Sequence, residues 1–155
     1  ASQALQDAPK KDPREGRNAA ENIVPTSTGA AIAVTKALPG LKGKFDGISM
    51  RVPTPVVSIS DVTALLARDV TVEELNDAFK KASKEPYYQG ILGVSDEPLV
   101  SRDYIGNSNS GTVDLALTRV VSGNLVKVCV WYDNEWGYSN RLVELVADVN
   151  KGLHK

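Results

Sequence analysis

Two β-branched, apolar runs, Thr112 to Val121 and Leu125 to Tyr132, are separated only by Ser122-Gly123-Asn124. A short turn of this kind between two strand-like runs specifies an antiparallel hairpin. The hairpin commits the rest of the chain to building a sheet and covering one of its faces. Phe45 to Val52 and Val56 to Leu66 are also rich in apolar and β-branched residues, and the Pro53-Thr54-Pro55 break leaves them as two strands or one interrupted strand. Asn22 to Thr26 and Gly90 to Val94 add shorter strand signals.

Helical patterns lie between these runs. Gly29 to Leu38 reads as a helix closed by Pro39-Gly40. Thr71-Val72-Glu73-Glu74 is a capping box, and Leu75, Ala78, Phe79 and Ala82 then recur at three and four residues, predicting an amphipathic helix to about Lys84. Leu142 to Val149 carries apolar residues at the same spacing. The expected class is α+β, a largely antiparallel mixed sheet with about three helices on one face. Residues 1 to about 18 hold two prolines, a glycine and dense mixed charge and read as a long irregular loop, the main part of an irregular segment 1–25 distinct from residues 26–155.

At 155 residues the chain has the length of one domain and can bury roughly two thirds of its unfolded surface. Its 18 basic and 19 acidic residues give a net charge of -1, which argues against nucleic acid as the main partner. No run approaches a membrane span and no leader pattern is present. The single cysteine rules out an internal disulfide framework and points to a reducing, cytoplasmic setting. Cys129 falls mid-strand, where a thiol is usually a small buried hydrophobe. His154 is the penultimate residue, a poor place for a precisely held base. These two residues therefore supply neither a nucleophile and base nor a zinc site.

Three places can carry ligand chemistry. Pro25-Thr26-Ser27-Thr28-Gly29-Ala30-Ala31 puts hydroxyls and a glycine at a helix start, where free N–H groups favour an anion, though Thr28 or Ser27 can equally serve as a plain cap. Arg51 sits on a strand fixed by two prolines and can grip a phosphate bidentately or stand in solvent. The segment W-Y-D-N-E-W-G-Y-S-N-R, Trp131 to Arg141, has the look of a binding surface on a strand-to-helix junction. In it, Asn134 offers a donor and an acceptor suited to another carboxamide, and Tyr138 can lie against a flat ring; the competing reading is a helix cap with an aromatic packed beside it.

Taken together, P-T-S-T-G-A-A at 25 to 31, R-V-P-T-P at 51 to 55 and Trp131 to Arg141, with K-D-P-R-E-G-R-N-A-A earlier, resemble the glyceraldehyde-3-phosphate dehydrogenase family from end to end. The resemblance covers only the second part of such an enzyme. It implies that the Rossmann NAD-binding domain, the cysteine nucleophile and the histidine base lie upstream of Ala1, leaving no catalytic residue in this chain. None of the 12 glycines forms a G-x-G-x-x-G fingerprint.

By the same resemblance Thr28, Gly29, Arg51 and Arg17 bind the phosphates of glyceraldehyde 3-phosphate and inorganic phosphate. Asn134 and Tyr138 contact the nicotinamide of NAD. The first 25 residues match an S-shaped loop that lines a neighbouring subunit's cofactor pocket in a homotetramer. Ala8-Pro9 replaces the Leu-Pro of many NAD-specific members, which leaves NADP open. The implied reaction is oxidation of an aldehyde to an acyl phosphate, with hydride passing to NAD(P). The related erythrose-4-phosphate dehydrogenase shares these motifs, and a non-catalytic assembly module is the reading from another class.

Overall fold

The computed structural model describes residues 3–153. His154 lies outside them. The chain divides into two compact units, Ala1–Pro55 and Val56–Lys155.

In the first unit, β1 (Val24–Thr26) pairs antiparallel with β2 (Ser49–Arg51), Val24 opposite Arg51 and Thr26 opposite Ser49. Between them stands α1 (Ala30–Ala37), followed by a single 3₁₀ turn at Pro39–Leu41. Leu38 closes α1 by donating its backbone N–H to the Val34 carbonyl, and Pro39 cannot continue the helix. The loop ahead of β1 is irregular but tied. The Ala8 N–H donates to the Gly16 carbonyl at 2.9 Å and the Ala19 N–H to the Ala4 carbonyl at 2.9 Å. A side-chain carbon at Gly16 would stand 2.3 Å from the Ala8 carbonyl oxygen, so only glycine lets the two limbs approach.

The second unit is built on a four-stranded sheet in the order β3-β6-β5-β4, from β3 (Ser58–Leu65), β4 (Leu92–Ser95), β5 (Gly111–Val121) and β6 (Leu125–Tyr132). The β3–β6 and β5–β6 pairs are antiparallel and β4–β5 is parallel. The expected hairpin turn has Ser122 and Gly123 both at positive φ, 50° and 81°, as a tight connection between twisted strands requires. The proline break separates β2 and β3 into different sheets, so they are two strands. β2 is shorter than the apolar run containing it because its partner β1 offers only three residues to pair with.

Helix α2 (Val72–Ala82) carries the expected capping box: the Glu74 N–H donates to Thr71 Oγ1 at 3.1 Å and the Thr71 N–H donates to Glu74 Oε2 at 2.9 Å. It packs on β5 and β4, bringing Phe79 onto the core of Val113, Leu115 and Val128. Helix α3 (Trp136–Leu153) follows β6 after a three-residue junction. Among the described residues, three helices with a two-stranded antiparallel sheet and a mixed, largely antiparallel four-stranded sheet make the α+β class, α2 being the helix packed on the larger sheet.

Candidate functional site

In the first unit the short β1–β2 ladder fixes Arg51 beside a cavity of about 420 Å³, lined also by Thr26, Ser27, Lys10, Glu15, Gln3 and Ala4. Arg51 Nε is out of solvent contact and without a hydrogen-bond partner, and the Thr26 hydroxyl is in the same condition. Buried polar groups are nearly always paired, so the unpaired Arg51 N–H and Thr26 hydroxyl, on two residues that line the same cavity, are an exception.

Thr28 and Gly29 lie just beyond this lining. The Thr28 hydroxyl accepts the Ala30 N–H at 3.1 Å, and Gly29 occupies the position before the first turn of α1, its carbonyl accepting the Ala33 N–H. Capping is thus what Thr28 does within the chain, while its own hydroxyl proton and the Gly29 N–H have no acceptor among the described residues. The structure adds Ser27 and Thr26 to the cavity, and the hydroxyl-rich stretch itself was the signal for both.

Arg17 is not in that lining. Its Nε donates to Asp7 Oδ2 at 3.1 Å, and both residues line a second hollow of about 370 Å³ with Ala8, Pro9, Lys10, Pro13 and Gly16. The Asn18 backbone N–H, foremost, and the nearby Arg17 charge hold the Asp7 carboxyl below its ordinary range. Lys10 lines both hollows.

In the second unit most of the Trp131 to Arg141 cluster is engaged within the chain. Trp131 stacks on Tyr104 at 5.5 Å and donates its indole N–H to Asp114 Oδ2 at 3.1 Å. Ser139 Oγ donates to the Glu135 carbonyl, Asn140 Nδ2 to the Trp136 carbonyl, and Arg141 Nη1 to the Gly90 carbonyl. Gly137 runs so close to the Asn109 carbonyl that a side-chain carbon would meet it at 2.8 Å. Much of the segment's polar character is thus used to hold the strand-to-helix junction itself. Asn134, Glu135, Trp136, Tyr138 and Ser139 are exposed, the two aromatics at 53% and 68%.

The residue that organises the junction is Asp133, which sequence reasoning passed over. It is 4% exposed, and its carboxylate accepts three backbone N–H groups: Gly106 at 2.9 Å, Glu135 at 3.0 Å and Trp136 at 2.9 Å. Burial acts to raise its pKa, but the three N–H donors prevail and hold the carboxyl below its ordinary value. An Asp just ahead of a helical run is a recognised start signal and was available in the sequence. Because Asp133 performs the capping, Asn134 is released from it: its Oδ1 accepts from Ser58 Oγ at 3.3 Å and its Nδ2 donates to no described residue.

Cys129 is buried, and burial foremost pushes its thiol pKa up, the condition of an unreactive core thiol. Among the described residues no group of His, Cys, Asp and Glu could hold a metal ion, and no helix is long and apolar enough to cross a membrane.

Residues 1–134 match the family model described as glyceraldehyde 3-phosphate dehydrogenase, C-terminal domain. Glyceraldehyde-3-phosphate dehydrogenase of Priestia megaterium is 59% identical over 152 residues, covering 97% of this chain and 45% of the relative. Glyceraldehyde-3-phosphate dehydrogenase 1 of Bacillus subtilis is 58% identical and the Geobacillus stearothermophilus protein 55%, each with the same coverage. The chain spans about half the length of the curated relatives it matches.

Proposed function

The chain belongs to the glyceraldehyde-3-phosphate dehydrogenase C-terminal domain family, and on that premise we propose that it forms the phosphate- and nicotinamide-contacting part of a phosphorylating dehydrogenase. The complete enzyme oxidises glyceraldehyde 3-phosphate with NAD and inorganic phosphate, in the cytoplasm, as a homotetramer. The observation that carries the reading is Arg51, which lines a cavity together with Thr26, each of the two residues holding one buried polar atom without a partner.

A phosphate at this cavity would meet the charge of the Arg51 guanidinium, with the Thr26 and Ser27 hydroxyl residues beside it. The Thr28 hydroxyl and the Gly29 N–H at the start of α1 add donors on the same stretch, and the first turn of the helix adds its positive end. Arg17 contributes positive charge from the adjoining hollow once its pairing with Asp7 is loosened. The work of these groups is positioning: a substrate gripped by its phosphate presents its aldehyde at a fixed distance from the reacting groups.

The nicotinamide, when bound, accepts hydride from the substrate carbon. Asn134 would hold its carboxamide through Nδ2, while Oδ1 is held by Ser58, and the exposed Tyr138 would offer a flat ring to it. The small Ala8 in the second hollow, with Lys10 and Arg17 beside it, leaves room for the extra phosphate of NADP.

In the complete enzyme carrying this domain, Arg51→Ala should raise the KM for glyceraldehyde 3-phosphate and inorganic phosphate about 10- to 100-fold, the worth of a charged hydrogen bond. The KM for NAD should stay near its starting value. Asn134→Ala should do the reverse. Phosphate constants unmoved by loss of Arg51 would sink the proposal.

A further inference from the structure

Three charged side chains line the Arg51 cavity, and one has the wrong sign for a phosphate site: Lys10, Arg51 and Glu15. Glu15 is exposed, and its carboxylate makes no hydrogen bond or ion pair with any described residue, including the arginine lining the same cavity. A carboxylate and a guanidinium on one cavity ordinarily neutralise each other by pairing. Left unpaired, both act on whatever the cavity holds, one attracting an anion and the other repelling it.

The backbone at Glu15 is held in place. Its own N–H donates to the Asp12 carbonyl at 3.1 Å, and the next residue, Gly16, is clamped against Ala8 by the 2.9 Å hydrogen bond and by a contact too close for any side chain. Beyond Gly16, Arg17 is tied to Asp7. The backbone that carries Glu15 to the cavity lining is therefore a braced loop.

We propose that Glu15 is a specificity-determining residue of this cavity, one that weakens binding of divalent anions more than monovalent ones. The inference rests on the phosphate reading of Arg51. Coulomb energy scales with the product of the charges, so a dianion near a fixed carboxylate incurs about twice the repulsion of a monoanion at the same distance. Arg51 and Lys10 supply the attraction, and Glu15 sets how much of it a doubly charged ligand keeps.

The test compares Glu15→Gln, Glu15→Ala and Arg51→Ala in the complete enzyme, measuring the KM for inorganic phosphate and the inhibition constants of sulfate and nitrate at low salt. Both Glu15 variants should tighten phosphate and sulfate about three- to tenfold and nitrate by only about the square root of that, with the gain shrinking as salt is raised. Arg51→Ala should weaken all three. If Arg51→Ala weakens phosphate but neither Glu15 variant tightens it, or either weakens it, the role of Glu15 is overturned and the phosphate reading stands. Equal gains for sulfate and nitrate would also overturn it. If Arg51→Ala leaves phosphate unchanged, the underlying reading falls instead.

Discussion

Replacing Asp133 with Ala should be among the most damaging single changes available in the second unit. The carboxylate accepts three backbone N–H groups at 2.9 to 3.0 Å and is 4% exposed, so alanine removes the acceptor and leaves three donors with little access to water. A hydrogen bond to a charged group contributes about 1.5–3 kcal/mol, and an orphaned buried donor costs about 1–3 kcal/mol. Simple summation overshoots, because the junction relaxes and some donors find water. About 3–5 kcal/mol is the reasonable range, above the ~1 kcal/mol of an ordinary helix cap because Gly106 is tied from a separate loop as well. For a domain of this size that corresponds to a fall of roughly 6–20 °C in Tm. The effect has a pH signature. The folded carboxyl lies below its ordinary value of 3.8, so its stabilisation is fully present above that value and is lost as pH falls through the lower folded pKa. Wild type and variant should therefore differ most at neutral pH and converge in acid. Urea unfolding followed by tryptophan fluorescence, repeated across the acid range, measures both. A loss under about 1 kcal/mol, or a difference that does not narrow in acid, would refute the account of Asp133 as a charged acceptor holding the junction.

Thr71→Ala should cost about 1 kcal/mol by opening the reciprocal cap of α2, read as a Tm lower by about 2–4 °C, and Thr71→Ser should restore most of it. Gly16→Ala should pry apart the loop limbs clamped at Ala8, since the new carbon would stand 2.3 Å from a carbonyl oxygen; limited proteolysis should then cut between residues 8 and 17 well before the wild type is cut, and equal rates would count against the clamp.

What could be read in advance follows the range of the interactions. The α2 cap was legible because its two partners lie three residues apart, and the β5–β6 hairpin because its turn joins the strands directly. Strand extent was not. Phe45 to Val52 has strand composition throughout, yet only Ser49–Arg51 pairs, because a strand is as long as its partner allows. The same limit governs the sites. Arg51 could be singled out from its own neighbourhood, but its sharing a cavity with Glu15 and Lys10 depends on a loop closed by Gly16 against Ala8, a contact that composition does not encode.

The Trp131 to Arg141 segment shows why a polar, aromatic cluster is weak evidence for a ligand until its hydrogen bonds are assigned. Trp131, Asp133, Ser139, Asn140 and Arg141 all make bonds within the chain. Their collective effect is to rigidify a three-residue junction between β6 and α3, and the rigidity is what makes the remaining side chains useful. A carboxamide on a loose loop would lose side-chain entropy with each ligand it met. On this junction the adjacent carboxylate holds the backbone from three sides, Ser58 holds one end of the Asn134 amide, and the other end is left to donate. The division of labour between neighbours is therefore directional. Asp133→Ala should weaken nicotinamide binding as well as stability, whereas Asn134→Ala should weaken binding and leave the unfolding midpoint nearly unchanged. A matched loss of stability in both variants would mean that Asn134 belongs to the scaffold.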